Sequence, residues 1–208
     1  YKGKKSCNLT TIGCTSFFPT KPLGCYGDGG AIFTSDEDLA TKIRQISRHG
    51  QDGRYHHVRV GINSRLDTLQ AAILIPKLSI LDEEIKQRDQ LANFYNGTLA
   101  EISDIKVPLI ASQRSSAWAQ YTILCEDRHK ICQSLKSHGI PTAVHYPRPL
   151  SQQPSVKDFD CYVPVSEKLA TSVLSLPMHS YMTDGVREKI VQAIWLPRSN
   201  EKDCRLGF

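Results

Sequence analysis

Between Ser16 and Gly30 the chain reads Ser-Phe-Phe-Pro-Thr-Lys-Pro-Leu-Gly-Cys-Tyr-Gly-Asp-Gly-Gly, and no regular helix can be built through it. Pro19 and Pro22 each remove a backbone donor and fix φ, while Gly27, Gly29 and Gly30 permit turns and close backbone approaches. The segment must therefore fold as a shaped loop. Lys21 sits between the two prolines, and Pro22 pushes it toward extended backbone. Phe17 and Phe18 offer an apolar wall. An ammonium taken partly out of water gives up its proton readily, which is how a lysine becomes nucleophilic toward a carbonyl. The same residue types also suit an ordinary surface lysine in a turn.

Regular structure is expected on both sides of this loop. Ala31–Thr34 reads as a short strand, and Ser35-Asp36-Glu37-Asp38 as a capping box ahead of a helix carrying Leu39, Ile43 and Ile46. That helix should stop at His49-Gly50, with Gly50 as left-handed terminator, and a polar loop should follow from Gln51 to Arg65. Ser35, Asp38 and Asp67 are read as helix caps. Asp67 opens a second helix that Pro76 should kink or end, and Ser79 restarts the pattern, which continues to about Glu101. From Ile105 the texture becomes α+β. Strands are expected at Ile105–Pro108, Ala119–Cys125 and Thr142–Tyr146, and helices at Arg128–His138, Ser166–Val173 and Asp184–Ile194. The expected domains are 1–95, 96–195 and a disordered tail, 196–208.

Composition narrows the function. The 208 residues are 40% hydrophobic and 23% charged, as in soluble globular proteins. The longest aliphatic run, Ala71–Ile75, is far short of the roughly 20 residues of a membrane span, so no membrane association is expected. The first residues carry no charged-then-apolar leader, so a cytoplasmic setting is expected. The +5 net charge is spread out, without the basic and aromatic interleaving of a nucleic-acid surface, and suits small anionic ligands. Seven Cys with no Cys-x-x-Cys pair indicate reduced thiols rather than disulfides or a zinc ribbon. His56 and His57 are adjacent, so they point apart, and no third ligand is suitably spaced; no metal is expected.

The order of residues says more than their kinds. The Ser16–Gly30 segment resembles the lysine segment of the DegT/DnrJ-type sugar aminotransferases, and the likeness continues through His49–His57, Gly61–Asp67, Gly139–Pro147 and Leu176–His179. Within the family the wording looks closest to enzymes that aminate carbon 3 of a UDP-N-acetyl-keto-glucuronate. The resemblance implies an α/β chain of the pyridoxal-phosphate (PLP) dependent, aspartate-aminotransferase-like fold type I, comprising part of the large domain and an α+β small domain. It implies PLP as cofactor, glutamate and a UDP-linked keto sugar as substrates, a homodimer with a shared active site, and a place in surface-glycan (lipopolysaccharide) precursor synthesis. Lys21 would form the Schiff base and shuttle the proton; Ser16 would bond the cofactor phosphate. Asn63 would reach that phosphate from the neighbouring subunit, and Arg65 would meet a carboxylate. His145 and Tyr146 would lie on the substrate side. Taken singly, Asn63 could cap a turn, Arg65 could be a solvated charge, and His145-Tyr146-Pro147 could be a strand end.

Complete members are roughly twice as long, with the carboxylate for the pyridinium nitrogen and the phosphate-binding helix upstream of the lysine. The chain thus reads as the C-terminal half of such an enzyme. The expectation for these residues alone is weak PLP binding, no transamination and self-association. Two other readings compete. A dehydratase of the same family would carry His where Lys21 stands, and a truncated, inactive homologue would carry the motifs without the chemistry.

Overall fold

The computed structural model describes residues 1–156 and 161–205. Two compact units form, Tyr1–Glu83 with Ile110–Ser116, and Glu84–Leu109 with Ala117–Phe208. Among the described residues no helix is long and apolar enough to cross a membrane.

The first unit is built from short pieces. β1 (Gly13–Ser16) and β2 (Gly30–Phe33) pair antiparallel, from Gly13 opposite Phe33 to Ser16 opposite Gly30. The loop from Phe17 to Gly29 therefore leaves and re-enters one hairpin. α1 (Glu37–Ile46) follows, and its cap is Asp36 rather than Ser35 or Asp38. The Asp36 carboxylate accepts from Leu39 N at 2.9 Å, and Asp38 falls inside the first turn. His49 and Gly50 both adopt positive φ beyond the helix, and Gly50 N donates to Gln45 O at 2.8 Å. The expected polar loop after Gly50 contains a bulged hairpin, β3 (Gln51–Gly53) with β4 (His56–His57).

α2 spans Thr68–Leu99 without interruption, so Pro76 neither ends nor divides it. Proline removes a single ladder bond, and the flanking turns still make theirs. Ser79 Oγ donates to Pro76 O at 2.7 Å in the turn that follows.

The second unit has a layered core. β5 (Ile105–Lys106), β6 (Tyr121–Cys125) and β7 (Val173–Leu176) form an antiparallel sheet in that order. Alternation sends Tyr121, Ile123 and Cys125 of β6, with Leu174 and Leu176 of β7 and Ile105 of β5 opposite them, into a core also built from Tyr95 and Leu99 of α2. Leu135 of α3 (Arg128–Ser137) and Ile194 of α5 (Asp184–Arg205) close it. β7 occupies a stretch expected to be the end of a helix and its exit: α4 (Pro164–Ser172) stops one residue short and the chain turns directly into sheet. The strand expected at Thr142–Tyr146 reduces to one bridge, Ala143 with Ser175. α5 runs past Ile194 into the segment expected to lack order, since a helix satisfies its own backbone without an apolar face; 206–208 of that tail lie outside the described residues.

Candidate functional site

Lys21 stands in the hairpin loop that joins β1 to β2. Phe18-Pro19-Thr20-Lys21 makes a β-turn, closed by Lys21 N donating to Phe18 O at 2.9 Å, with Pro19 at the position where its fixed φ is favoured. The base of the loop is locked by backbone. Phe17 N donates to Gly29 O and Cys25 N to Phe17 O, both at 2.8 Å. The Cys25 thiol is buried beneath and lies 3.0 Å from Phe17 O and 3.1 Å from Gly27 O.

This packing leaves no room for a side chain at Gly24 or Gly29. A Cβ on Gly24 would come within 2.7 Å of Pro19 O, and one on Gly29 within 2.9 Å of Cys25 Sγ and 3.1 Å of Leu66 Cδ1. α2 clamps the loop from one side: Gln70 Oε1 accepts from Tyr26 N at 2.8 Å, and Lys77 Nζ donates to Gly24 O while lying 5.0 Å from the Tyr26 ring centre. Gln70 and Lys77 escaped the sequence reading. Their signal was two polar residues at i and i+7, one helix face, within an otherwise apolar stretch.

Lys21 itself is exposed, and among the described residues its ammonium makes no hydrogen bond or ion pair. The expected apolar wall does not close over it, because Phe18 is 48% exposed. Ser16, at the end of β1, accepts from Phe18 N at 3.2 Å, which leaves its own hydroxyl proton uncommitted. The hairpin loop therefore carries an uncommitted lysine amine and an uncommitted hydroxyl proton on a frame held by backbone hydrogen bonds.

Asn63 and Arg65 form a second group. Arg65 Nε donates to Asn63 Oδ1 at 3.1 Å, so the Asn63 amide hydrogens and the outer fork of the guanidinium stay available to an anion. Their loop is pinned to the end of α1: Ile62 N donates to Ile46 O at 2.8 Å, and Ser64 N to Ser47 O at 3.0 Å. The backbones pack so closely here that a Cβ on Gly61 would overlap Gly50 N, and one on Gly50 would overlap Arg59 O. His56 and His57 have local partners. His56 pairs with Asp52 at 2.7 Å, and His57 Nδ1 donates to His49 O at 2.8 Å. Among the described residues no cluster of three metal-ligating side chains exists.

His145 and Tyr146 belong to the second unit, where their rings meet edge to face at 5.4 Å. Both line a cavity of about 1010 Å³ with Pro149, Leu150, Leu169 and Val173. Tyr146 is 71% exposed. His145 Nδ1 lies 3.0 Å from Ser175 Oγ, which lies 2.9 Å from Thr122 Oγ1. Sequence reading did not find Ser175 or Thr122, since only the β6–β7 register makes them neighbours.

The model of the DegT/DnrJ/EryC1/StrS aminotransferase family matches residues 1–195. A UDP-2-acetamido-2-deoxy-3-oxo-D-glucuronate aminotransferase of Pseudomonas aeruginosa is 59% identical over 193 residues, 93% of this chain and 53% of that protein. The crystal structure of a DegT/DnrJ/EryC1/StrS aminotransferase from Brucella abortus superposes with a TM-score of 0.85 at 45% identity, over 88% of this chain and 50% of that one. NtdA of Bacillus subtilis, solved with bound cofactor PMP, gives 0.82 at 30% identity, over 90% of this chain and 46% of that one. The chain thus spans about half the length of the curated relatives it matches, and its mixed architecture is part of the PLP fold type I.

Proposed function

The chain belongs to the DegT/DnrJ/EryC1/StrS aminotransferase family, and from that premise we propose that it carries the lysine-bearing part of an enzyme moving an amino group from glutamate to a UDP-linked keto sugar. One observation carries this reading: the uncommitted Lys21 amine on a loop locked by Gly24, Cys25 and Gly29. In this reading residues 1–95 are the last part of a PLP-binding large domain and 96–195 the small domain. The setting is cytoplasmic synthesis of a surface-glycan precursor.

The residues present fit PLP. Lys21 has a free primary amine for the cofactor's aldehyde, and Ser16 has a free donor for its phosphate. Bound there, PLP supplies an electron sink for the carbon that carries the amine. The protein's own residues do the rest. Lys21, once free, holds and moves the proton at that carbon, which needs a group of basic character within reach. Ser16 donates to the phosphate without adding charge, and Asn63 donates its amide hydrogens to the same group across a homodimer. Arg65, steadied by Asn63, offers a planar fork to a carboxylate of glutamate or of the sugar. His145 and Tyr146 bind the sugar side, at an apolar-lined cavity.

Borohydride trapping tests the reading. The longest natural form of the protein is incubated with PLP, reduced and mapped by mass spectrometry, in parallel with Lys21→Ala and with transamination assays on glutamate and the keto sugar. Label should concentrate on Lys21, and Lys21→Ala should abolish both label and turnover. Label spread evenly over the lysines, or turnover surviving in Lys21→Ala, sinks the assignment.

A further inference from the structure

Among the described residues no other serine, threonine, amide or charged residue is as fully buried as Ser175, which is 5% exposed at the middle of β7. It pairs in register with Thr122 of β6, on the sheet face opposite the core residues Tyr121 and Ile123. Its backbone is committed twice to Ala143, through Ser175 N to Ala143 O at 2.8 Å and Ala143 N to Ser175 O at 3.3 Å. The segment that carries His145 is thereby laid across this face, and the Ser175 hydroxyl sits between Thr122 Oγ1 and His145 Nδ1.

Counting protons gives the direction of this chain. Each hydroxyl has one proton, and neither has a further acceptor among the described residues. If Nδ1 donated to Ser175, one hydroxyl proton would be left without an acceptor, Ser175's own or Thr122's. Leaving a donor unmade in or beside a buried site costs more than the net worth of a typical hydrogen bond. Only the order Thr122 to Ser175 to His145 Nδ1 uses both protons. We propose that Ser175 is a positioning residue that holds His145 as the neutral ring protonated on Nε2, leaving that N–H as a donor for an oxygen of the sugar substrate. The proposal rests on the reading of His145 as a substrate-side residue, since that reading supplies the acceptor. It explains why a polar pair survives between β6 and β7, whose other positions are apolar: the hydroxyls select which ring nitrogen is offered.

Two-bond proton–nitrogen correlation spectra of the 15N-labelled chain at neutral pH, with His145 assigned by His145→Gln, decide the matter. The expected spectrum has a protonated Nε2 and an unprotonated Nδ1 displaced toward the hydrogen-bonded range. Ser175→Ala should release Nδ1 to the position of a free imidazole, and Ser175→Thr, which keeps the hydroxyl, should restore it. A protonated Nδ1 in the wild-type chain overturns the proposal without any variant having to fold. An Nδ1 unmoved by Ser175→Ala overturns it equally. Titration with UDP-glucuronate separates the two layers of the argument: the Nε2–H signal should shift, and Ser175→Ala should need about tenfold more ligand for half the shift. A wild-type signal indifferent to UDP-glucuronate breaks the substrate-side reading of His145 while leaving the tautomer standing.

Discussion

In the second unit Tyr95, Tyr121, Leu135 and Ile194 are wholly enclosed, packed around an antiparallel sheet. In the first, among the described residues, Cys25 and Leu74 are the buried hydrophobic side chains, while Ile32, Phe33, Leu69 and Ile75 are exposed. The two regions hold their candidate site residues by different physics. Around His145 the order comes from side-chain burial beneath a sheet. Around Lys21 it comes from backbone hydrogen bonds and from glycines set where any Cβ would collide. Precise placement of a side chain does not require a hydrophobic core beneath it.

That contrast can be broken most directly by truncation. Leu135→Ala should cost about 2–5 kcal/mol, whereas Leu69→Ala, at a position 70% exposed, should stay within about 0.5 kcal/mol. Both tryptophans, Trp118 and Trp195, belong to the second unit, so urea unfolding followed by fluorescence reads that unit. Hydrogen exchange reads the first. Equal losses for the two variants would erase the distinction.

The opposite experiment adds a single methyl. Gly29→Ala should cost about 1–3 kcal/mol, because Cys25 and Leu66 must shift to admit it. It should also lower borohydride-trapped label on Lys21 while leaving tryptophan fluorescence unchanged. Gly53, where an added Cβ meets nothing within 4 Å, is the control.

Alkali sharpens the comparison from the other side. Burial pushes the Tyr95 and Tyr121 hydroxyls far above their usual range, and Tyr95 adds to the shift at Tyr121. A folded pKa above the unfolded value, about 10, means full stabilisation below that pH. As the pH climbs past it the unfolded chain loses these protons first, so stability falls. The fluorescence-detected midpoint in urea should therefore drop steeply above pH ~10. Tyr95→Phe should flatten the drop while losing about 1 kcal/mol at neutral pH, since the hydroxyl donates to Pro177 O at 3.0 Å. An unchanged alkaline slope in Tyr95→Phe would remove burial of that hydroxyl as the cause. The smallest effect is expected at a surface cap: Asp36→Ala should cost about 0.5–1 kcal/mol, seen as faster exchange in the first turn of α1.

The loop around Lys21 was legible in the sequence because its constraints are local. Prolines and glycines state their conformational demands in place, and their order matched a known family. The helices of the second unit were legible for the same reason, through periodicity. β7 was not, because Val173–Leu176 follows α4 with no Gly or Pro to mark the change, and its strand character comes from pairing with β6. Thr142–Tyr146 misled in the opposite direction: its residues favour a strand, but Pro141 and Pro147 close both ends and one bridge is all that forms. The Thr122–Ser175–His145 chain could not be read at all, since it depends on a register set by tertiary packing.

The close meeting of Gly50 and Gly61 has a mechanical consequence. With the Asn63 loop tied to the last turn of α1 through Ile46 and Ser47, and no compressible side chain in the joint, Asn63 and Arg65 ride on the helix as one rigid lever. Surface changes along α1 that touch neither residue are thus a handle on where the Arg65 charge stands.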